Sequence, residues 1–336
     1  MAKTPNRNRV RLLPTLLACT VATTTLLYGP SVQHAEAADI TGHLERANQQ
    51  LAMFNWEPAR RLYVDAIDLA DHNSPQWQAA VFGAAVTSQH VSPASAERLG
   101  QASAWYTTLS APALNSRFAA RALMNLGRLA ELKDFDADQV DLDSAKKHYS
   151  AVIERFPTDP IASEAMLRLA GAHVQTFDKK QIAQGAELLK KWIAEHPSDP
   201  LESAMYQYIG DAHFFLEDYR PSLDAYMKAD EIGWTDAGNQ GPIYWRMAIM
   251  ADRYLKDIDA AAKYYTKIIV ETPYSGKAYE AQIALKGMGR PAPEIKLFRA
   301  AAPPAPASAP TTAPATQPVA INDNAQQPAI GGINGR

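Results

Sequence analysis

The sequence predicts an all-α protein built from a row of stacked helical hairpins, and three observations support this prediction. Between about residues 40 and 287, the helix-favouring residues Ala, Leu, Lys, Glu and Gln dominate. Apolar residues in this region recur at intervals of three and four, and convincing strand-like alternation is absent. The phrase AKKHYSAVIERFP at 145–157 returns as AAKYYTKIIVETP at 261–273, which indicates an internal repeat.

The helical periodicity predicts thirteen helices, separated by short turn-forming sequences. FPTDP, HPSDP, GNQGP and TPYSG each end one helix and begin the next. In two of them, TDP and SDP place an Asp near an N-cap and a Pro in the first helical turn. The predicted helices span approximately 40–53, 58–70, 76–90, 94–109, 114–132, 142–156, 161–175, 182–195, 201–216, 220–232, 242–255, 259–271 and 275–287.

A recurring frame of small, aromatic and proline residues sets the repeat length. The full frame, Ala-x3-Tyr-x7-Pro, begins at Ala145 and again at Ala261, and degenerate copies begin at Gly185 and Ser222. These starting positions lie 40, 37 and 39 residues apart. Such a period in paired helices is typical of a helical solenoid. Each frame follows a helix with a small central residue: Gly127, Ala170, Gly210 and Ala248.

Close packing of antiparallel helices explains the residue types in this frame. Two helices that touch at their crossing need Gly or Ala at one position, and an aromatic side chain nearby fills the space between neighbouring pairs. Proline ends the second helix and directs the chain into the next unit. The residues predicted to do this packing are Trp56, Ala59, Tyr63, Gly127, Ala145, Tyr149, Pro157, Pro197, Gly210, Tyr226, Ala261, Tyr265 and Pro273.

The frame resembles that of the tetratricopeptide repeat (TPR) family over about residues 40–287. The segment 203–233 carries Tyr206, Ile209, Gly210, Tyr219, Tyr226 and Ala229 at the family's signature positions. The resemblance implies a right-handed solenoid of helical hairpins that binds a protein or peptide partner. The phrase at 261–285 is similar to those of periplasmic TPR proteins of bacterial envelopes, of the Tol-Pal-associated and barrel-assembly lipoprotein types, which implies a role in envelope organisation.

The first 37 residues have the three-part layout of a secretory signal peptide. Basic residues precede an apolar stretch at 12–29, and Ala35 and Ala37 stand before the expected cleavage point. This predicts a periplasmic or secreted protein, and an uncleaved membrane anchor is the alternative. A second alternative comes from LLAC at 16–19, which resembles a lipobox and would make Cys19 the lipidated N-terminus of an outer-membrane lipoprotein.

The remaining chain divides into a TPR-like solenoid over 38–290 and a Pro/Ala-rich tail over 291–336. The tail has too few large apolar residues to offset the entropy of ordering, so we expect disorder with extended polyproline-like stretches. It is either a solubilising tail or a spacer or ligand for another protein. No later apolar run is long enough to span a bilayer after signal removal.

Composition and motifs argue against several functions. The formal net charge is −3, and removal of residues 1–37 leaves 29 basic against 35 acidic residues, so bulk attraction to nucleic acid is not expected. Metalloprotease, hydrolase, Walker-type and dinucleotide motifs are missing. His173 and His213 occupy equivalent repeat positions, where packing is favoured over metal binding. The sequence therefore predicts a non-enzymatic protein without a metal site or cofactor.

The functional surface predicted by the resemblance is a groove along the first helices of successive hairpins. Its residues would give basic ends and one aromatic contact, suited to a partially acidic peptide. Ordinary solvated helix surface is the alternative for each of them. The predicted role is an exported scaffold in the cell envelope, and a docking subunit of an envelope enzyme is a further alternative. The predicted groove residues are Arg121, Arg128, Gln207, Asp211, Phe214, Arg246 and Arg253.

Overall fold

The computed structural model describes residues 30–135, 137–235 and 240–296, with side chains from residue 39 onward. The chain forms two compact units, the first ending at Val91 and the second beginning at Ser92. Cys19 and the greater parts of the predicted signal peptide and tail lie outside the described residues.

The first unit is a bundle of three helices in which each helix packs against the other two. Its core consists mainly of small residues, including Ala47, Ala59, Ala66 and Ala84, with the ring of Tyr63 between the helices. The small side chains allow the helix backbones to approach closely. The helices are α1 (Pro30–Ala52), α2 (Trp56–Leu69) and α3 (Pro75–His90).

The second unit is a row of helices in which consecutive helices pack together from α4 to α10 and again from α11 to α13, and α10 contacts the π-helical segment that follows α11. We call α5, α7, α9 and α11 first helices, and α6, α8, α10 and α12 their paired second helices. The first helices α5 and α7 also contact each other, as do α7 and α9. The helices are α4 (Ala96–Leu109), α5 (Arg117–Glu131), α6 (Leu142–Arg155), α7 (Ile161–Val174), α8 (Lys179–Glu195), α9 (Glu202–Phe215), α10 (Tyr219–Ile232), α11 (Gln240–Ile249), α12 (Ile258–Glu271) and α13 (Ala278–Gly287).

These contacts confirm the predicted all-α fold of stacked helical hairpins. Thirteen α-helices and no strand occur among the described residues. Two local features differ from the sequence-based prediction. The last part of the predicted helix 242–255 is a π-helical segment, Met250–Leu255, which ends at Lys256 in the left-handed region (φ 56°). The helix predicted to begin near residue 40 begins at Pro30.

The helical hairpins close where a small residue of one helix meets a tyrosine of another. A methyl group added at Gly127 on α5 would lie 2.4 Å from the ring of Tyr149 on α6. The corresponding distance from Gly210 on α9 to Tyr226 on α10 is 2.7 Å. Since real Cβ atoms do not approach other atoms so closely, only glycine fits at these crossings without a shift of the ring.

The hairpin of α7 and α8 achieves the same close approach with different residues. The tyrosine position of the frame holds Leu189, which is buried. Here the glycine is on the second helix, and a Cβ at Gly185 would lie 2.9 Å from the carbonyl oxygen of Ala170. In the next hairpin Ser222 replaces the usual Ala, and its hydroxyl donates to the carbonyl oxygen of Gly210 at 2.7 Å. The buried hydroxyl is therefore satisfied.

The predicted prolines act at helix ends rather than in the core. Pro157 and Pro197 are exposed, and Pro273 is half-buried. The residues before them, Phe156, His196 and Thr272, have nearly identical backbone angles, with φ between −131° and −128° and ψ between 50° and 69°. A following proline disfavours the α conformation at the preceding residue, so α6, α8 and α12 end at the same point of the frame.

The extended chain after α13 remains packed against the second unit. Ala292 and Ile295 contact the core formed by α10 to α13. The side-chain amide of Gln282 donates to the carbonyl oxygen of Pro293 at 2.9 Å. The packed chain therefore continues beyond residue 290, the end predicted for the solenoid.

We predict that Gly127→Ala destabilises the second unit by about 1–3 kcal/mol, because the added methyl forces the Tyr149 ring out of its place. Gly100→Ala is the matched control. Gly100 is an exposed residue within α4, and nothing lies within 4 Å of its added methyl. The control should stabilise the unit by about 0.5–1 kcal/mol through helix propensity. Urea unfolding of both variants measures this difference, and equal shifts in the same direction would contradict the packing argument.

Candidate functional site

The predicted groove residues lie on the first helices of the second unit, at spacings that place them on one face of each helix. Arg121 and Arg128 are seven residues apart on α5, and Arg246 and Arg253 have the same spacing on α11 and the π-helical segment. Gln207, Asp211 and Phe214 follow one face of α9. Arg253 is exposed, whereas the other six are half-buried. We call this set of faces the first-helix face.

Asp211, Phe214 and Arg246 are brought together in one cluster with Tyr226. The Tyr226 hydroxyl donates to Asp211 Oδ1 at 2.5 Å, and Arg246 forms an ion pair with the same carboxylate. Arg246 Nη1 also lies 2.7 Å from the Tyr226 hydroxyl oxygen. The guanidinium carbon sits 4.9 Å from the centre of the Phe214 ring, a cation–π arrangement. The charge of Arg246 is thus compensated within the protein.

A second cluster of the same kind joins α5, α6 and α7. The Tyr149 hydroxyl donates a hydrogen bond to Glu131 Oε2 at 2.6 Å, and Arg168 Nη1 lies 3.4 Å from the same oxygen. The side-chain amide of Gln175 donates to Glu131 Oε1 at 2.7 Å. Glu131 is 8% exposed, so these three partners compensate a nearly buried carboxylate.

The two clusters have the same arrangement of residues, which was not predicted from the sequence. A tyrosine on the second helix donates to a carboxylate on its own first helix, and an arginine on a later first helix pairs with that carboxylate. Arg168 follows Glu131 by 37 residues, and Arg246 follows Asp211 by 35 residues. This near-repeat spacing of an acid and an arginine is the signal in the sequence that could have identified Glu131 and Arg168.

The frame tyrosines Tyr63 and Tyr265 also have acceptors on the helical segment that precedes their own helix. Tyr63 donates to Asn48 Oδ1 at 2.6 Å, and Tyr265 donates to Asp252 Oδ2 at 3.4 Å. Burial raises the pKa of Tyr63 to about 12. Burial also raises the pKa values of Tyr149 and Tyr226, and the adjacent carboxylates raise them further. These phenols therefore stay protonated and act as hydrogen-bond donors at neutral pH.

The remaining predicted groove residues include Arg128, which is half-buried. Its Nε atom is buried and has no hydrogen-bond partner among the described residues. Arg253 projects from the π-helical segment and is exposed. Cations therefore remain at both ends of the first-helix face, with Arg121 and Arg128 on α5 and Arg253 after α11.

The equivalent histidines His173 and His213 occupy different surroundings. His173 Nδ1 lies 3.1 Å from Gln181 Oε1, an oxygen that also accepts from Lys146. Both ring nitrogens of His213 are buried and lack a hydrogen-bond partner among the described residues, and the Asp218 carboxylate lies 3.6 Å away. Burial lowers the pKa of each imidazole.

A further polar cluster lies beyond the first-helix face, around the nearly buried Asp230 of α10. Lys267 Nζ lies 2.6 Å from Asp230 Oδ1, and Trp234 Nε1 donates to the same oxygen at 3.1 Å. The Tyr244 hydroxyl lies 2.8 Å from Glu271 and 3.1 Å from Asp230. Every group has a partner here, so the cluster joins α10, α11 and α12.

The described part of the chain contains neither a metal-binding group of side chains nor a membrane-spanning helix. Within residues 30–135, 137–235 and 240–296, no three His, Cys, Asp or Glu side chains are grouped to hold a metal ion. None of the described helices combines the length and apolar character needed to cross a bilayer.

Comparisons with known proteins give remote structural similarities only. No protein-family model and no curated protein matches the chain. A structure of Pseudomonas aeruginosa PilF is 19% identical, with a TM-score of 0.48, and the match covers 74% of this chain and 99% of that chain. A putative kinesin light chain from Podosopora anserina with nearly identical TPR-like repeats is 14% identical, with a TM-score of 0.43 and coverage of 61% and 97%.

A third similar structure is that of TTC0263, a thermophilic TPR protein of Thermus thermophilus. It is 16% identical, with a TM-score of 0.33, and the match covers 67% of this chain and 96% of that chain. All three TM-scores are below 0.5, so these similarities establish neither a family nor a partner for this chain. The paired-helix fold of this chain therefore rests on its own contacts.

We predict that Arg246→Met destabilises the second unit by about 1–3 kcal/mol, because it leaves the half-buried Asp211 carboxylate without its cation. Adding Asp211→Asn should restore part of this loss, since the uncompensated charge is then removed. Lys191→Met is the control: Lys191 is 74% exposed in a long ion pair with Glu195, so its loss should cost less than about 0.5 kcal/mol. Urea unfolding of the wild type and these three variants tests this, and a double variant no more stable than Arg246→Met would contradict it.

We also predict that acid destabilises the second unit partly through His213. Because burial lowers the imidazole pKa in the folded protein, the unfolded chain binds protons more readily below about pH 6.5. The free energy of unfolding should therefore fall between about pH 7.5 and 5.5. In His213→Phe, which keeps a ring in the same place, the fall should be smaller. An identical fall in both proteins would show that His213 does not contribute.

Proposed function

We propose that the chain is a non-enzymatic exported scaffold that holds a protein or peptide partner on its first-helix face. The observation that carries this proposal is the pair of tyrosine–carboxylate–arginine clusters, which fix polar side chains along this face. A partner then binds without first ordering those side chains, which lowers the entropy cost of association.

The distribution of charge favours a partner with acidic groups near both ends of its bound segment. Arg246 is compensated by Asp211, so the centre of the face is close to neutral. Arg121 and Arg128 on α5 and the exposed Arg253 supply positive charge at the ends. Gln207 offers hydrogen-bonding groups between them, and Phe214 offers an apolar contact. This combination suits an extended acidic peptide with an apolar residue at its middle.

Export to the cell envelope is the second part of the proposal. It is supported by the basic start, the apolar stretch at 12–29 and the A-x-A-like exit before Ala38. A narrower role is assembly or organisation of the envelope, as in Tol-Pal-associated or barrel-assembly TPR proteins. The lipoprotein alternative keeps the same face and adds an anchor at Cys19, because LLAC at 16–19 resembles a lipobox.

Affinity capture from an envelope extract tests both parts. We expect the recovered protein to begin at Ala38 and to retain a partner whose binding weakens with salt. Arg253→Glu combined with Arg121→Gln should lower the affinity for that partner about tenfold or more, since both end charges are lost. Lys191→Glu, which changes an exposed charge on the second helix α8, should leave the affinity unchanged.

Two results would overturn the proposal. If binding is unaffected by the Arg253 and Arg121 changes but responds to Lys191→Glu, the partner uses the second-helix side. If mass spectrometry finds an uncleaved N-terminus, export through a cleaved signal is wrong. An N-terminus at a fatty-acylated Cys19, lost in Cys19→Ala, would select the lipoprotein alternative.

A further inference from the structure

Aromatic and apolar side chains line the turns that follow the first helices of the second unit. Phe177 follows α7, Phe214 and Phe215 end α9, Tyr219 begins α10, Tyr254 ends the π-helical segment and Ile258 begins α12. These six residues, which we call the aromatic strip, belong to three successive hairpins.

The rings of the aromatic strip form an unbroken series of contacts. Ring centres of Phe177 and Phe215 are 6.1 Å apart, and those of Phe215 and Phe214 are 6.4 Å apart. Phe214 and Tyr219 are separated by 6.2 Å, and Tyr219 stacks on Tyr254 at 4.0 Å. Neighbouring hairpins thus contribute to one continuous apolar surface.

Much of this surface is open to solvent. Phe177 is 70% exposed, Tyr254 54%, Phe215 40% and Ile258 38%. Phe177 also has a left-handed backbone conformation (φ 55°), which costs about 1 kcal/mol for a residue with a side chain. Neither burial nor backbone preference favours phenylalanine at this turn. A continuous exposed aromatic surface of this kind is typical of a binding site.

We propose that the aromatic strip binds the Pro/Ala-rich segment 303–318 of the same chain. Proline-rich segments favour the polyproline II helix, which rises about 3.1 Å per residue and binds to aromatic-lined surfaces with little loss of entropy. About eight residues in this conformation cover the path of the strip. The segment carries prolines at positions 303, 304, 306, 310, 314 and 318, and no charged residue.

The chain that follows α13 starts close to this strip. Arg290 pairs with Asp259, which adjoins Ile258 of the strip. The chain then runs back along α13 to Lys296, the last described residue. Six residues lie between Lys296 and Pro303, and the seven residue steps from one to the other reach about 22 Å in polyproline II form. α13 has ten residues and is about 15 Å long, so this linker is long enough to return to the strip.

Docking within one chain is favoured over docking between chains because the short linker keeps the segment at a high local concentration, on the order of millimolar. Phe214 belongs both to the strip and to the first-helix face. A segment bound to the aromatic strip would therefore border the first-helix face. Its binding does not require a partner on that face.

Photocrosslinking in the full chain tests the proposal. p-Benzoylphenylalanine replaces Phe177 and, in a matched control, Phe54, which is 72% exposed with φ 58° at the turn after α1. After irradiation at low protein concentration, we expect position 177 to crosslink to residues 303–318 within a single chain, with a yield at least about fivefold above that of position 54, as local tethering predicts. Replacing Pro303, Pro304, Pro306 and Pro310 together by Ser should lower the yield from position 177 by a similar factor.

Three results would overturn the proposal. A yield from position 177 no higher than from position 54 would show that the segment is not held at the strip. A yield unchanged by the proline replacements would show mere proximity rather than recognition of a polyproline helix. Crosslinked products that join two chains, or this chain to a different protein, would assign the strip to another occupant. Circular dichroism of each variant checks that the helices remain intact.

Discussion

At three places in the described chain, a glycine of one helix lies directly beneath the ring of a tyrosine on another helix. A methyl group at Gly83, Gly127 or Gly210 would stand only 2.4–2.7 Å from the rings of Tyr63, Tyr149 and Tyr226, respectively. This close approach sets the separation of the helices. It also buries a large ring whose hydroxyl must then find an acceptor, and this requirement links packing to the polar groups of the face.

The carboxylates that accept these hydrogen bonds also connect one hairpin to the next. Glu131 and Asp211 accept from tyrosines of their own hairpins and pair with arginines of later first helices. A carboxylate that is partly buried needs such compensation, because an isolated charge in the interior is costly. The same side chains that complete the core thus hold a fixed pattern of polar groups along the first helices. This is the surface on which we propose that a partner binds.

The sequence was sufficient to predict the helices, their pairing and the small and aromatic residues at the crossings, since these follow from periodicity and steric fit. It was not sufficient for the features that depend on which side chains meet in space. Arg246 was predicted as a basic residue at one end of the groove, whereas its guanidinium pairs with Asp211 and lies over the ring of Phe214. The partners of Glu131 and the rings of the aromatic strip come from different hairpins, so no local pattern connects them. The π-helical segment at Met250–Leu255 likewise has no marker in the local sequence.

The most direct test of the central claim is residue-resolved titration of the frame tyrosines by 13C NMR of their ζ carbons. Because Tyr149 and Tyr226 are buried beside carboxylates, their pKa values lie above the ordinary value near 10. We expect their resonances to stay at the phenol position until alkali unfolds the helices, as followed by circular dichroism. Ionisation of either tyrosine near pH 10 while the helices remain folded would contradict the glycine–tyrosine contact on which the fold depends.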